Sequence, residues 1–258
     1  MLITTNPQIL KDRDITWLDM HHHSRVSDGS RTPNFLYKWA KKNKKGICLT
    51  DHNRVKGSLF LAKQKDIFTL PSVEVASKEL KETLAYFTSA NDLKEFWQKE
   101  IKGHIKDNTI FNFNRTNIPF QKLLQKVKDY NGRNILAHPI SIKPKTSYPV
   151  LENKEILKLI DGVETFNFTL GNYNFAKKKL DKYNLPETAG SDSHSFTTFN
   201  TLTGSYESTR EDFIESILKK KNIIFYKKGE EFRRFLERAY IIKNNLKVWT
   251  KTTIKELE

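Results

Sequence analysis

Short apolar runs rich in Ile, Val, Leu and Phe alternate along the chain with stretches in which apolar residues recur at helical spacing. Runs of the first kind suit buried strands and stretches of the second suit amphipathic helices, so the alternation predicts an α/β fold with a largely parallel sheet. Strands are expected over residues 15–20, 46–50, 68–75, 83–88, 134–137, 162–166 and 187–190. Helices are expected between them. One opens at Thr32-Pro33 and runs through Phe35, Leu36, Trp39 and Ala40, and others cover 59–65, 120–130, 154–159 and 175–183, with a last one starting near Thr209. Residues 91–119, with Leu93, Phe96, Trp97 and Ile101 at helical spacing, read as a small helical insertion that caps the fold. A strand over 223–226 and a basic amphipathic stretch through Phe232, Phe235, Leu236, Tyr240 and Ile241 belong to a C-terminal extension over about 221–258, whose basic face is read as solvated.

Composition narrows this picture. The 258 residues, 37% hydrophobic and 29% charged, can bury one sizeable core, so residues 1–258 are read as a single domain. Lys and Arg number 45 against 30 Asp and Glu, a net charge of +15 that suits an anionic substrate or partner and excludes an acidic disordered chain. The one cysteine, Cys48, lies in the apolar run Gly46-Ile47-Cys48-Leu49; it excludes an internal disulfide framework and fits a reducing compartment. The opening Met1-Leu2-Ile3-Thr4-Thr5-Asn6-Pro7 has no basic region followed by an apolar one, and no run of about 18 apolar residues occurs. The expectation is a cytoplasmic protein without membrane contact.

The candidate chemistry lies where the strands finish. The first expected strand leads into Asp19-Met20-His21-His22-His23, the second into Thr50-Asp51-His52, and the third into Val73-Glu74-Val75. Later strands lead into Ala137-His138-Pro139, Gly162-Val163-Glu164-Thr165 and Ser191-Asp192-Ser193-His194. Taken singly, each piece has an ordinary reading: Asp51 and Asp192 could cap turns, and Glu74 and Glu164 could be ion-paired carboxylates. Five of the seven histidines, setting aside His22 and His104, nonetheless fall at strand ends, and parallel barrel strands bring those ends to one mouth. Imidazoles and carboxylates converging in such numbers point to two or three divalent ions, with Mn, Fe or Zn suited to the mixture. Adjacent ions that bridge a hydroxide make hydrolysis the natural reaction.

These pieces, with Ser27-Asp28-Gly29 and Leu49-Thr50-Asp51-His52-Asn53, resemble the PHP (polymerase and histidinol phosphatase) superfamily of metal-dependent phosphoesterases, in the family's order from Asp19 to His194. The resemblance implies a distorted (β/α)7 TIM-like barrel with the metals at its C-terminal mouth. It implies His21, His23, Asp28, His52, Glu74, His138, Asp192 and His194 as ligands, with Glu74 bridging two ions. Among these, Asp28, His52, Glu74, His138 and Asp192 are the residues on which catalysis is expected to depend. Asp51 and Glu164 are expected to support ligands rather than to bind metal. The chain departs from the family in Lys81-Glu82-Thr83-Leu84-Ala85-Tyr86, where many relatives carry a histidine ligand at the position of Glu82. Either Glu82 replaces it as an oxygen ligand, the preferred reading, or one metal is held more weakly or is absent.

Arg25, Arg31, Arg54 and Lys143 follow directly on these motifs and are the candidates for binding substrate phosphate. Tyr86, Asn167 and Phe168 are candidates to line the pocket, the last two by stacking on a base, whereas His22 and His104 are not expected to be ligands. The forms of the motifs resemble the branch of nucleotide phosphatases and 5′-to-3′ exonucleases. The leading expectation is therefore a phosphoesterase, phosphatase or exonuclease, that uses a metal-bridged hydroxide on a nucleotide or single-stranded nucleic-acid end. Its rivals are a non-catalytic, partner-dependent metal-binding module accessory to nucleic-acid metabolism and, with less support, an amidohydrolase-like C–N hydrolase.

Overall fold

The computed structural model describes residues 1–106, 115–141, 146–195 and 198–248. The first part of the chain forms β1 (Leu2–Thr4), β2 (Thr16–His22), α1 (Pro33–Asn43), β3 (Gly46–Leu49), α2 (Lys56–Ala62), β4 (Ser72–Ala76) and β5 (Glu82–Tyr86). There follow α3 (Ala90–Phe96), β6 (Ile105–Lys106), β7 (Arg115–Thr116), α4 (Phe120–Asp129), β8 (Arg133–Leu136), α5 (Lys154–Leu157), β9 (Gly162–Asn167) and α6 (Tyr173–Leu180). The last elements are β10 (Glu187–Gly190), β11 (Thr201–Ser205), α7 (Arg210–Leu218), β12 (Ile223–Tyr226) and α8 (Glu231–Val248).

Local chemistry sets these boundaries. The Thr32 hydroxyl accepts the Phe35 N–H at 3.2 Å and Pro33 supplies a preset first turn, so α1 begins where the cap and proline predict. Its end is Lys44 in a left-handed conformation. In α4, Phe120, Leu123, Leu124 and Val127 share one face and are all buried.

The strands divide between two five-stranded sheets, ordered β1-β12-β11-β2-β3 and β10-β9-β8-β5-β4. Among the described residues the strands thus fall into two sheets rather than the single barrel sheet of the expected distorted (β/α)7 fold. The sheets meet along two seams, where isolated bridges pair His22 with Ser193 and His52 with Glu74. The parallel expectation also needs correction. β2–β3, β8–β9 and β9–β10 are parallel, but β5 runs antiparallel to both β4 and β8, and β11 is antiparallel to β2 and β12. A turn over residues 77–81 joins β4 straight to β5, closed by the Ser77 N–H bonding to Lys81 O at 2.9 Å. So short a connection reverses the chain, whereas a parallel neighbour needs a crossover segment.

An inner core of Leu18, Met20, Cys48, Leu70, Leu84, Tyr86, Ile135 and Ala137 is completed by Phe213, Ile214 and Ile217 of α7. Arg210 ties α7 to Thr69 O at 2.9 Å and Thr88 O at 3.1 Å, at the end of β4 and β5 away from Ala76 and Glu82. On the outer side, Val73, Val75, Ala85 and Phe87 pack with the α4 residues and with Leu93, Phe96 and Ile101.

Among the described residues of the insertion, helical structure runs to His104. α3 continues through the π turn Trp97–Ile101 and a 3-10 turn, Lys102–His104, and then gives way to the β6–β7 pair. Its Leu93, Phe96 and Ile101 are buried in the outer core, and Trp97 Nε1 donates to Asn53 O at 2.9 Å, beside His52. β1 and β11 extend the first sheet beyond the expected strands. No helix among the described residues is long and apolar enough to cross a membrane.

Candidate metal centre

The polar residues that follow or end the strands meet at one mouth. His21 and His23 are two apart on extended chain, so both imidazoles point the same way, and His22 points elsewhere, its Nδ1 3.4 Å from Ser191 Oγ. Asp28 arrives on the turn after β2, where a Cβ on Gly29 would lie 2.5 Å from His23 O; only glycine lets this turn close on the ligand strand. His52 follows β3, Glu74 lies within β4, His138 follows β8, and Asp192 and His194 follow β10. Because β5 runs backwards, Glu82 reaches the same mouth from the start of its strand, paired in register with Ala76.

Four overlapping groups have ligand atoms within 4.8 Å of one another: His21, His23 and Asp192; His21, Glu74 and His138; His52, Glu74 and Glu82; and His23, Asp28, His52 and His194. His21 Nε2 lies 3.0 Å from His23 Nε2, and Asp192 Oδ1 is 3.3 and 3.2 Å from the two. Glu74 is central. Its Oε2 lies 3.0 Å from His52 Nδ1, 3.4 Å from His23 Nε2 and 3.5 Å from His21 Nε2, while Oε1 is 3.1 Å from His138 Nε2. Glu82 adds Oε2 at 3.6 Å from His138 Nε2, and Asp28 Oδ2 stands 3.3 Å from His194 Nε2 and 3.7 Å from His52 Nε2.

The donor set fits divalent ions. His21 Nδ1 lies 3.0 Å from Glu164 Oε1, which leaves Nε2 turned towards His23. Against burial, Glu164, Asp192 and Glu74 hold the His21 imidazole well above its ordinary value, and a bound cation would take the place of the Nε2 proton. Two imidazole nitrogens facing each other at 3.0 Å are best accommodated by a shared cation. Glu74 Oε2 and His23 Nδ1 are buried and have no hydrogen-bond partner among the described residues. Mixed nitrogen and carboxylate oxygen suits Mn, Fe or Zn.

Protonation shows the same demand for positive charge. Burial alone would raise the Glu74 carboxyl, yet the neighbouring His52 and His21 hold it well below the usual carboxylate range. Asp28 is held low against burial by His194 and His52. Burial opposes charge on His138 and His194, but Glu74 raises His138 to about 9, and Asp28 raises His194 to about 9. His23, buried and facing His194 and His52, is pushed down to about 3. The carboxylates thus recruit protons onto imidazoles, and a divalent ion supplies the same compensation in their place.

Supporting contacts fix the ligands. Glu164 Oε2 accepts the His138 N–H at 2.9 Å and the Asn167 side-chain amide at 3.0 Å; Asn167 also donates to Asp192 Oδ2 at 3.1 Å. Asn167 was expected to face a base, but it is buried and braces two carboxylates. Both Asp51 oxygens accept from Ser24, and Oδ1 also accepts the Ser27 hydroxyl at 2.8 Å, so Asp51 braces the turn that carries Asp28. Asp19, which sequence reasoning passed over, accepts the Ser191 N–H at 2.8 Å and the Ser191 hydroxyl at 2.6 Å, joining β2 to the segment after β10. Burial raises its carboxyl to about 7. Among the residues with positive φ are Asn53, His138 and Asp192 at the mouth, at 52°, 26° and 51°.

Other candidates fall outside this set. Tyr86 is part of the inner core and donates to Met20 O at 2.6 Å, so it does not line the mouth. Phe168 is buried, with the Arg234 guanidinium 5.9 Å from its ring centre. His104 pairs with Asn117 at 2.7 Å on the insertion. Arg25 donates to Ser30 O at 3.2 Å, Arg31 lies 4.9 Å over the Phe35 ring, Arg54 is half-buried two residues after His52, and Lys143 lies outside the described residues. A further residue absent from sequence reasoning, Glu237 of α8, is buried against the backbone of His194.

No protein-family model and no curated protein matches the chain. Among solved structures, it is similar to a two-domain protein containing a predicted PHP-like metal-dependent phosphoesterase from Bacteroides vulgatus ATCC 8482, at 16% identity over 86% of this chain and 69% of that one, with a TM-score of 0.59. It is also similar to a lesion-specific endonuclease from Pyrococcus furiosus, at 18% identity over 81% of this chain and 57% of that one, with a TM-score of 0.60. Endonuclease Q in complex with a 27-mer duplex substrate, with an abasic lesion at the active site, matches at 18% identity over 79% of this chain and 56% of that one, with a TM-score of 0.57. The chain thus spans a little over half the length of the endonuclease. At these identities the likenesses show that the chain shares its fold with these proteins, one of which contains a predicted PHP-like metal-dependent phosphoesterase.

Proposed function

We propose that the protein is a metal-dependent phosphoesterase that hydrolyses a phosphate ester of a nucleotide or of a nucleic-acid end. The observation that carries this reading is the meeting of His21 Nε2, His23 Nε2, Asp192 Oδ1 and Glu74 Oε2 within 3.0–3.5 Å of one another's neighbours in a buried, acid-rich mouth. In this reading His21, His23, Glu74 and Asp192 hold one ion, Glu74, Glu82 and His138 a second, and Asp28, His52 and His194 a third. Divalent ions bound there supply a nucleophile from water at neutral pH and offset charge on the phosphoryl oxygens. The chain's own part is orientation. Glu164 and Asn167 fix His21, His138 and Asp192, and Asp51 fixes the turn of Asp28.

Asp28 marks the point of substrate entry. Its side chain is 35% exposed, whereas those of His52, Asp192, His138 and His194 are 14% or less. Arg25 and Arg54, on the segments beside it, are the proposed partners of the substrate's outer phosphate oxygens. The preference for a nucleotide or nucleic acid draws support from the net charge of +15 and from the endonuclease neighbour seen with duplex DNA.

The test is hydrolysis in the presence of Mn of a labelled single-stranded oligonucleotide, an abasic duplex and small nucleotide phosphomonoesters, with Asp192→Asn as the control. Cleavage of any of these that disappears in the variant supports the reading, and the product sizes separate phosphatase from exonuclease. Full metal binding without hydrolysis of any substrate would sink it in favour of an accessory metal-binding module.

A further inference from the structure

The helix α8 stands apart from the strand ends that supply ligands, and much of it is open to solvent, including Phe232, Phe235 and Ile242. Glu237, on the same helix, is 1% exposed. Its Oε1 accepts the N–H groups of both His194 and Ser195, the latter at 2.7 Å, and its Oε2 accepts the Ser195 hydroxyl at 2.7 Å. The carbonyls of the same two residues are held from the other side. Ser30 N–H donates to His194 O at 2.6 Å and Ser30 Oγ to Ser195 O at 3.3 Å, on the turn that follows Asp28. His194 is therefore clamped between α8 and the turn of Asp28, with its imidazole facing the Asp28 carboxylate.

The neighbouring residue of α8 works on a second loop. Arg238 donates to Thr169 O at 2.8 Å and to Leu170 O, and the Thr169 hydroxyl contacts Asp192 O at 2.9 Å and Ser191 O at 3.1 Å. Two consecutive residues of one helix thus bear on the segment around Asp192, Glu237 through the His194 and Ser195 amides and Arg238 through the Thr169 backbone. A carboxylate receiving adjacent amide N–H groups makes charge-assisted bonds, which hold geometry more firmly than neutral ones.

We propose that Glu237 is a positioning residue of the metal centre, fixing the His194 backbone so that an ion at Asp28, His52 and His194 binds tightly only while α8 is docked. This inference rests on the metal-centre reading given above. Partners that orient metal ligands typically contribute about 10- to 100-fold to metal affinity.

The test is calorimetric titration with Mn of the chelator-stripped full chain and of Glu237→Ala, Glu237→Gln and Phe235→Ser. The expected result is that Glu237→Ala weakens one ion about 10- to 100-fold and leaves the others at parental affinity. Glu237→Gln, whose amide oxygen still accepts N–H groups, should fall between Glu237→Ala and the parent, and Phe235→Ser should match the parent. If Glu237→Ala does not fold by circular dichroism, the Gln variant carries the comparison. Parental affinity for every ion in the folded variants would overturn the inference, as would uniform loss of all ions together with a lowered unfolding midpoint. A parent that binds no ion would overturn the metal-centre reading itself.

Discussion

Glu164 determines which nitrogen of His21 faces the mouth: its Oε1 takes the Nδ1 proton at 3.0 Å, leaving Nε2 beside His23 and Asp192. Because its other oxygen holds the His138 backbone, one carboxylate orients ligands from two strands.

Glu164→Ala should therefore weaken metal binding about 10- to 100-fold without removing any ligand, and Glu164→Gln, which keeps an acceptor oxygen, should weaken it less. Mn titration of the stripped protein measures both. Equal affinities in the parent and the alanine variant would contradict the role.

Gly190 sits where β10 passes β2. A Cβ there would lie 2.5 Å from His21 Cβ and 2.7 Å from His21 N, both part of the ligand strand. Gly190→Ala should cost about 1–3 kcal/mol of stability through forced displacement, read from urea unfolding. The same displacement should weaken metal binding.

Tyr86 separates core from site. Its buried hydroxyl donates to Met20 O, so Tyr86→Phe should cost about 1–3 kcal/mol in unfolding free energy by leaving that carbonyl without its partner. KM should be unchanged, since the ring lies in the inner core; a several-fold rise in KM would return Tyr86 to the pocket.

In metal-stripped protein, His138 and His194 are raised from 6.5 to about 9 by Glu74 and Asp28. Groups raised on folding stabilise the native state fully below the unfolded value and lose that contribution as pH rises through the folded one. Stability of the stripped protein should accordingly fall from about pH 6.5 to about 9. Metal binding releases these protons, so the Mn-loaded protein should show a flatter profile over that window. Thermal unfolding with and without Mn compares the two.

The strand ends were legible because a short apolar run followed by His, Asp or Glu is a local pattern, and the structure gathers those residues in one place. The direction of β5 was not legible. An alternating strand reads alike in either direction, and only the short turn after Ala76 decides it. That Asn167 braces Glu164 and Asp192 is not legible either, because burial of a single amide leaves no trace in spacing. Glu237 lies in a run of charged residues, Glu230-Glu231-Phe232-Arg233-Arg234, and beyond, where nothing marks one carboxylate as inward-facing. β11 was missed because its Thr-Leu-Thr-Gly-Ser sequence is too polar to stand out as an apolar run.

The two seams between the sheets run through the ligands themselves. His52 and Glu74 form the bridge at one, and at the other the His21 carbonyl and His23 N–H bond to Asp192 and Ser193. An ion held by such residues would be a rivet driven through the joint, resisting separation of the halves. Parting of the sheets should then slow as the mouth is loaded with metal, so that the metal content of the protein sets how readily its two halves come apart.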